Sequence, residues 1–340
     1  MSRATIGDVA KQAGVSKKTV SRVLNNEPGV KSDTFTQVMD AIQQLGYKPD
    51  LSARRLRKGQ SFLLAILYPD AGEHSDPYVN ALLRGALNGC DKFGYDLLLR
   101  PIPPLTGGLV ELVSNFIDRT QVDGLIISPP TCDDPQILAY LASQNIPYVR
   151  IAPKDPKGDV DVLTNEVCAS KDAINALISQ GHQKIAIINP LCAHGAGIWR
   201  SQGFKEALVE NGIEVNPEYV LETNVDDHLE KNIRKLLSLQ ERPSAIFAVN
   251  DSYAALVYRV AYQLGIVIPH QLSVLGFDDA PLAQHLWPPL TSIRQPIIGL
   301  AEQAVEILVK NQLEGKELKF EQLECKLIQR NSIAPNWKLN

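Results

Sequence analysis

No stretch of this 340-residue chain approaches the ~18 consecutive apolar residues that a membrane-spanning helix needs. Its first ten residues, MSRATIGDVA, contain nothing like the apolar centre of a secretory signal. Both absences argue against a helical membrane protein or an exported one and make the cytoplasm the expected compartment. Cysteine is scarce: Cys90, Cys132, Cys168, Cys192 and Cys325 are scattered, odd in number and without a C-x-x-C pair. That spacing indicates neither a disulfide framework nor a zinc site, and suits packing roles in a reducing compartment. The chain also lacks G-x-S-x-G, H-E-x-x-H, the phosphate-binding G-x-x-x-x-G-K-[ST] and G-x-G-x-x-G. No enzymatic activity, cofactor or metal is therefore expected. The pair Asp278-Asp279 can be misread as catalytic carboxylates, but adjacent residues in an extended turn point apart.

What is present is a globular composition, 44% apolar and 21% charged, in a chain long enough for two or three domains. The net charge of −4 conceals an asymmetry. Residues 1–60 hold eleven Lys and Arg against five Asp and Glu, a net of +6, which leaves −10 for the remainder. A basic head on an acidic body fits a DNA-binding module joined to a regulatory domain.

The head has a legible pattern. Thr5 offers an N-cap to a helix carrying Ile6, Val9 and Ala10, and Gly14 interrupts it where a turn with positive φ is needed. Ser16 can cap a second helix whose apolar face is Val20, Val23 and Leu24. Small Ala10 lies where the two would cross, so the stretch reads as a helix-turn-helix. Lys17, Lys18, Ser21 and Arg22 remain on the outer side of the second helix, with donors suited to base edges and phosphates. A third helix over 32–46, carrying Phe35, Val38, Met39, Ile42 and Leu45, is spaced to pack on the first two and stops at Gly46. A short basic segment follows over 50–59, with Leu56 the one large apolar side chain among the charges of ARRLRKG.

The runs VAKQAGVSKKTVSRVLN, GYKPD and ARRLRKG, in this order and at these intervals, resemble the head and hinge of the lactose-repressor (LacI/GalR) family of transcription factors. The resemblance implies DNA contacts from Thr5, Ser16, Lys17, Lys18, Thr19, Ser21, Arg22 and Asn25, and from Ala53, Arg54, Leu56 and Arg57 of the hinge. It also implies that the hinge becomes helical on operator DNA and that Leu56 enters the minor groove. The expected domains are 1–49 (helix-turn-helix), 50–60 (hinge) and 61–340 (effector-binding and dimerisation core).

From residue 61 strands and helices alternate. Strands are predicted over 62–68, 95–100, 124–128, 147–152, 184–189, 220–222, 245–249 and 273–277, with helices over 77–93, 109–119, 135–144, 169–180, 200–211, 227–239 and 251–264. Such alternation predicts parallel sheet built from βαβ units, and two comparable series predict two similar lobes. The family resemblance continues here through Gly94-Tyr95-Asp96, Val122-Asp123-Gly124, Asn250-Asp251, Gly276-Phe277-Asp278-Asp279 and Pro289-Leu290-Thr291. It implies a core like the periplasmic sugar-binding proteins, with an effector between lobes and chain crossings near Val162, Leu290 and Cys325. Lobe 1 would then hold about 61–162 and 291–324, and lobe 2 about 163–290 and 325–340.

Ligands of open α/β sheets gather beyond the C-terminal ends of strands. Arg200, Asn250 and Asp278 fall at such junctions and offer planar or bidentate polar groups; Tyr78 and Trp287 offer aromatic faces. Simpler roles stand beside these: a turn cap for Asp278, an ion pair for Arg200, ordinary packing for Trp287. The family match places Arg200, Asn250 and Asp278 at common ligand positions. Two features depart from it. Arg150 brings a cation into the strand at 147–152, to meet sugar hydroxyls, an anion or a neighbouring Asp, and Asn165 replaces a usual Asp. His182, after Gly181, reads as structural. The whole describes a homodimeric, cytoplasmic regulator, a repressor of a carbohydrate-use operon that binds a roughly palindromic operator and a small sugar-like effector; a sugar-binding component without DNA function is the alternative. A dimer rather than a tetramer is expected because NSIAPNWKLN lacks leucine heptads.

Overall fold

The computed structural model describes residues 4–24, 29–47, 60–70, 76–104, 107–158, 160–190, 194–222, 228–316 and 322–336. The chain separates at Phe62 into two compact units, residues 1–62 and 63–340.

The first unit contains α1 (Ile6–Gln12), α2 (Lys17–Leu24) and α3 (Ser32–Leu45). Thr5 and Asp8 close a capping box at the start of α1: the Asp8 carboxylate accepts from Thr5 N–H at 2.8 Å, and Thr5 Oγ1 from Asp8 N–H at 3.4 Å. Ser16 Oγ accepts from Thr19 N–H at 3.1 Å ahead of α2. Gly14 (φ 62°) and Gly46 (φ 56°) make the two left-handed turns that their positions required. Val9, Ala10, Val20, Val23, Val38 and Ala41 form the core. Each fully buried valine contributes about 1.5–3 kcal/mol, enough for a small unit with little to spare. Phe35 and Met39, expected in that core, are 36% and 44% exposed. The stripe of α3 that faces its neighbours runs through residues 38, 41, 42 and 45, and positions 35 and 39 lie on its margin.

The second unit holds two sheets. The first has the order β2-β1-β3-β4-β5, all parallel, from β1 (Leu63–Pro69), β2 (Asp96–Ile102), β3 (Gly124–Ile127), β4 (Tyr148–Ile151) and β5 (Asp161–Val162). Helices α4 (Pro77–Phe93), α5 (Leu109–Thr120) and α6 (Pro135–Ser143) connect them. Leu64, Ala65, Ile66 and Leu67 are all fully buried, as a central strand covered on both faces requires. The second sheet has the order β11-β10-β9-β8-β6-β7, from β6 (Ile185–Ile188), β7 (Val220–Leu221), β8 (Ala245–Ala248), β9 (Ser273–Asp278), β10 (Thr291–Arg294) and β11 (Lys326–Ile328). All of its pairs are parallel except β10 with β11. Its helices are α7 (Glu166–Ser179), α8 (Gly195–Glu210), α9 (Leu229–Leu237), α10 (Asp251–Gln263) and the short α11 (Pro281–His285). The last helix, α12 (Ile297–Ile307), packs back on α4 in the first lobe.

The chain thus passes between lobes after β5, again between β10 and α12, and finally before β11. The second passage falls later than the expected point near Leu290, because β10 runs in register with β9 from Thr291↔Leu275 to Arg294↔Asp278 and so stays in the second sheet. Thr164 and Leu323 form a parallel bridge between two of the connecting strands.

Candidate functional site

Two regions merit a functional reading. In the first unit, Lys17 and Lys18 are exposed on the first turn of α2, while Thr19, Ser21 and Arg22 are partly buried along it. Thr5 and Ser16 are exposed at the starts of α1 and α2 and act as caps. Two cationic side chains at a helix N-terminus are disposed to meet phosphates or base edges while the apolar side holds the unit together. Asn25 and the hinge residues Ala53, Arg54, Leu56 and Arg57 lie outside the described residues.

In the second unit, a cleft of about 540 Å³ opens where the C-terminal ends of both sheets face each other. The first lobe lines it with Pro69 at the end of β1, Pro129 and Pro130 after β3, Ala152 after β4, Asp76 and Tyr78 at the start of α4 and Leu300 of α12. The second lobe lines it with Glu166, Arg200, Asn250, Asp251 and Asp278, and Gln295 sits at the passage between lobes. The first lobe's wall is mostly apolar, with the Asp76 carboxylate and the Tyr78 hydroxyl at the start of α4, and the second lobe's wall is polar.

Arg200 is the most constrained of these. Its Nε donates to Glu166 Oε2 at 2.7 Å, one terminal nitrogen donates to Val249 O at 2.5 Å, and its guanidinium lies 3.7 Å over the Phe277 ring. The same nitrogen is 3.8 Å from Asp278 Oδ1. Burial opposes the charge on Arg200, but Glu166 and Asp278 outweigh it and raise its pKa. Thr164 donates to the other oxygen of Glu166 at 3.2 Å. Asn250 caps α10, its carboxamide oxygen accepting from Tyr253 N–H at 2.8 Å, and its side chain also hydrogen-bonds the Tyr253 phenol.

Asp278 and Asp279 both have positive φ, 103° and 50°, a rare strain for non-glycine residues that separates their side chains. Asp279 turns inward to Arg294 (2.6 Å) and Arg330 (2.5 Å). Asp278 turns to the cleft, where Oδ1 accepts from Gln295 Nε2 at 2.6 Å. Burial pushes the Asp278 carboxyl up to about 7 against the opposing pull of Arg200, although 27% of its side chain still meets solvent. Burial likewise pushes Asp251 up to about 6; it accepts from Ser292 Oγ at 2.6 Å and Ala280 N–H at 2.7 Å. This seat for Asp251 requires Gly276, since a Cβ there would come within 2.3 Å of its Oδ1. Burial pushes the Tyr78 phenol well up, so it stays a neutral hydroxyl.

Four of the six residues expected at an effector site, Tyr78, Arg200, Asn250 and Asp278, line this one cleft. The other two do not. Arg150 is buried in a bidentate pair with Asp161 (both bonds 2.7 Å) across the β4–β5 register, which leaves it no face for a ligand. Trp287 is 88% exposed and outside the lining, because the chain leaves α11 there on the way to β10. Arg200 was also expected to open its helix, but α8 begins at Gly195 and places Arg200 in its second turn. Glu166 and Gln295 are not among the expected site residues, and Asp251 enters the sequence reading only within the Asn250-Asp251 family mark. Glu166 and Asp251 were discoverable as acidic residues at helix starts, whereas Gln295 had no local signal. His182 is structural: its ring nitrogens meet Ser244 Oγ at 2.8 Å and Ala334 O at 3.0 Å, and burial pushes its pKa down. Among the described residues no cluster suits a metal ion, and no helix is long and apolar enough to cross a membrane.

Comparison with known proteins adds sequence-wide evidence. Residues 5–50 match the model of bacterial regulatory proteins of the lacI family, and residues 174–333 that of a periplasmic binding protein-like domain. The chain is 31% identical over 310 residues to catabolite control protein A of Priestia megaterium, covering 90% of this chain and 92% of that one. It is 32% identical over 313 residues to the ribose operon repressor of Haemophilus influenzae, covering 90% and 91%. Among solved structures, the transcriptional regulator CelR in complex with cellobiose superposes with a TM-score of 0.73 at 26% identity, over 97% of this chain and all of that one. The lac repressor dimer bound to operator and the anti-inducer ONPF gives 0.74 at 25%, over 98% and 100%.

Proposed function

The chain belongs to the lacI family of bacterial transcriptional regulators, and from that premise we propose that it represses a carbohydrate-use operon and releases it when a small sugar-like effector fills the cleft. The observation that carries this reading is the two-sided cleft. Prolines, Leu300 and Tyr78 form an apolar wall for the C–H face of a sugar ring, opposite Arg200, Asn250 and Asp278 for its hydroxyls. The sugar-bound relative CelR lends it support.

On the DNA side, Lys17, Lys18, Ser21 and Arg22 are our candidates for groove contacts, with Thr5, Ser16, Thr19 and Asn25 beside them and the hinge residues Ala53, Arg54, Leu56 and Arg57 in the minor groove. One helix-turn-helix covers half a site, so we read the working form as a homodimer on a roughly palindromic operator; the similar lac repressor structure is a dimer bound to operator. We place the protein in the cytoplasm with its DNA and assign it no catalysis. The test is gel retardation of fragments upstream of the operon under control, with and without each of a panel of sugars. One fragment should be retarded and one sugar should abolish the shift; a sugar-tight protein that retards no fragment would overturn the reading.

A further inference from the structure

Resting on the reading of the cleft as an effector site, we infer that the effector is an uncharged polyhydroxyl compound and that the cleft rejects its phosphate ester. Four carboxylates line the cleft, from Asp76, Glu166, Asp251 and Asp278, against the single guanidinium of Arg200. That guanidinium is already committed to Glu166 and to Val249 O, with Asp278 close by. His194, the other basic residue of the lining, is held neutral by burial and by Lys154.

A phosphate also binds well at open helix N-termini, and several helices start at this cleft. Two of them are closed by side-chain caps. The Asp76 carboxylate accepts from Tyr78 N–H and Val79 N–H at the start of α4, and Asn250 does the same at α10. Asp251 takes the N–H of Ala280 ahead of α11. Helices α7, α8, α11 and α12 begin without a side-chain cap, and α7 opens on the Glu166 carboxylate. An uncapped helix start can receive a hydroxyl oxygen, but these starts do not balance the surrounding carboxylates. Asp278 completes the selection: its Oδ1 accepts from Gln295, its Oδ2 accepts no hydrogen bond among the described residues, and the ionised carboxylate accepts from a sugar hydroxyl while repelling a phosphate dianion placed against it.

The test uses the full-length protein at pH 8, where Asp278 is ionised. Thermal unfolding and calorimetric titration are run with a panel of free mono- and disaccharides, the phosphate ester of each, and inorganic phosphate. The sugar that raises the melting temperature should bind at least about tenfold more tightly than its ester, since like charges brought together discriminate at least this strongly. Inorganic phosphate should leave the melting temperature unchanged. An ester binding as tightly as its parent sugar, or more tightly, overturns the inference while the cleft remains a sugar site. If no sugar and no ester binds, the effector reading itself falls and the inference with it. Two charge-removing variants, Glu166→Gln and Asp278→Asn, should each narrow the sugar-to-ester ratio several-fold even as sugar affinity drops. Should the ratio stay put in a variant that still melts cooperatively, the carboxylates do not set the selection.

Discussion

Asp278→Asn should change stability and function in opposite directions. The substitution preserves the shape of the side chain, and its carbonyl oxygen can still accept from Gln295, whose bond to Asp278 is 2.6 Å. What disappears is the negative charge. In the wild type the folded-state pKa is raised from 3.8 to about 7, chiefly by burial. A carboxyl with a raised pKa leaves stability intact below its unfolded value; stability is then lost as pH climbs from about 4 through 7, because the folded form must carry a poorly solvated charge. One pKa unit corresponds to ~1.4 kcal/mol, and the partial exposure of the side chain reduces the sum, so the relief in the variant at pH 8 is on the order of 1–3 kcal/mol. Urea unfolding at pH 8 should place the variant above the wild type by that amount, with the gap closing near pH 4. Effector binding should move the other way. A hydrogen bond to a charged acceptor is worth about 1.5–3 kcal/mol against about 0.5–1.5 for a neutral one, so sugar affinity falls roughly tenfold while operator affinity is unchanged. A variant less stable than wild type at pH 8, or one that still releases operator at wild-type sugar concentrations, would refute the reasoning.

Other outcomes follow from the same structure. Arg200→Ala should destabilise the second unit by about 3–5 kcal/mol in urea unfolding, because Glu166, 2% exposed, loses its charged partner; a loss below about 1 kcal/mol would mean that solvent reaches the pair. Arg22→Ala should weaken specific DNA by about 1–3 kcal/mol and relax preference at one base pair, read by competition against single-base operator variants; equal weakening on every sequence would make Arg22 a phosphate contact. Leu56→Ala should reduce both operator affinity and bending in a circular-permutation assay while leaving sugar binding intact, and an unchanged bend would remove the wedge. Light scattering should give the mass of two chains per particle; four would overturn the dimer.

Much of this fold is legible in the sequence because its signals are local. Helix α4 occupies the predicted 77–93, set by Pro77 at its start and Gly94 in the left-handed C-cap. The buried run at β1 and the turn glycines Gly14 and Gly46 were equally plain. Elements beyond residue 277 were not, since β10, α12 and β11 are defined by partners distant in sequence rather than by their own periodicity. The site divides in the same way. Asn250 and Asp278 stand at strand–helix junctions where polar residues are conspicuous, and Arg200 lies in the second turn of α8, close enough to its predicted start to be legible too. Whether a given arginine faces a ligand or a carboxylate depends on strand register. Arg150 meets Asp161 because β4 and β5 pair as they do, and no spacing along the chain reveals that. Gln295 is brought into the cleft by the crossing between lobes, which is a tertiary fact.

The central claim is that cleft and operator are coupled, and reciprocity tests it most directly. A ligand shifts an equilibrium only by its differential affinity for the two states, and the factor by which sugar weakens operator binding must equal the factor by which operator weakens sugar binding. Operator affinity is to be titrated with and without saturating sugar, and sugar affinity with and without saturating operator, on one preparation at fixed salt. The account predicts the same factor from both titrations, within roughly 5–150-fold. Sugar affinity identical in free and operator-bound protein would contradict it.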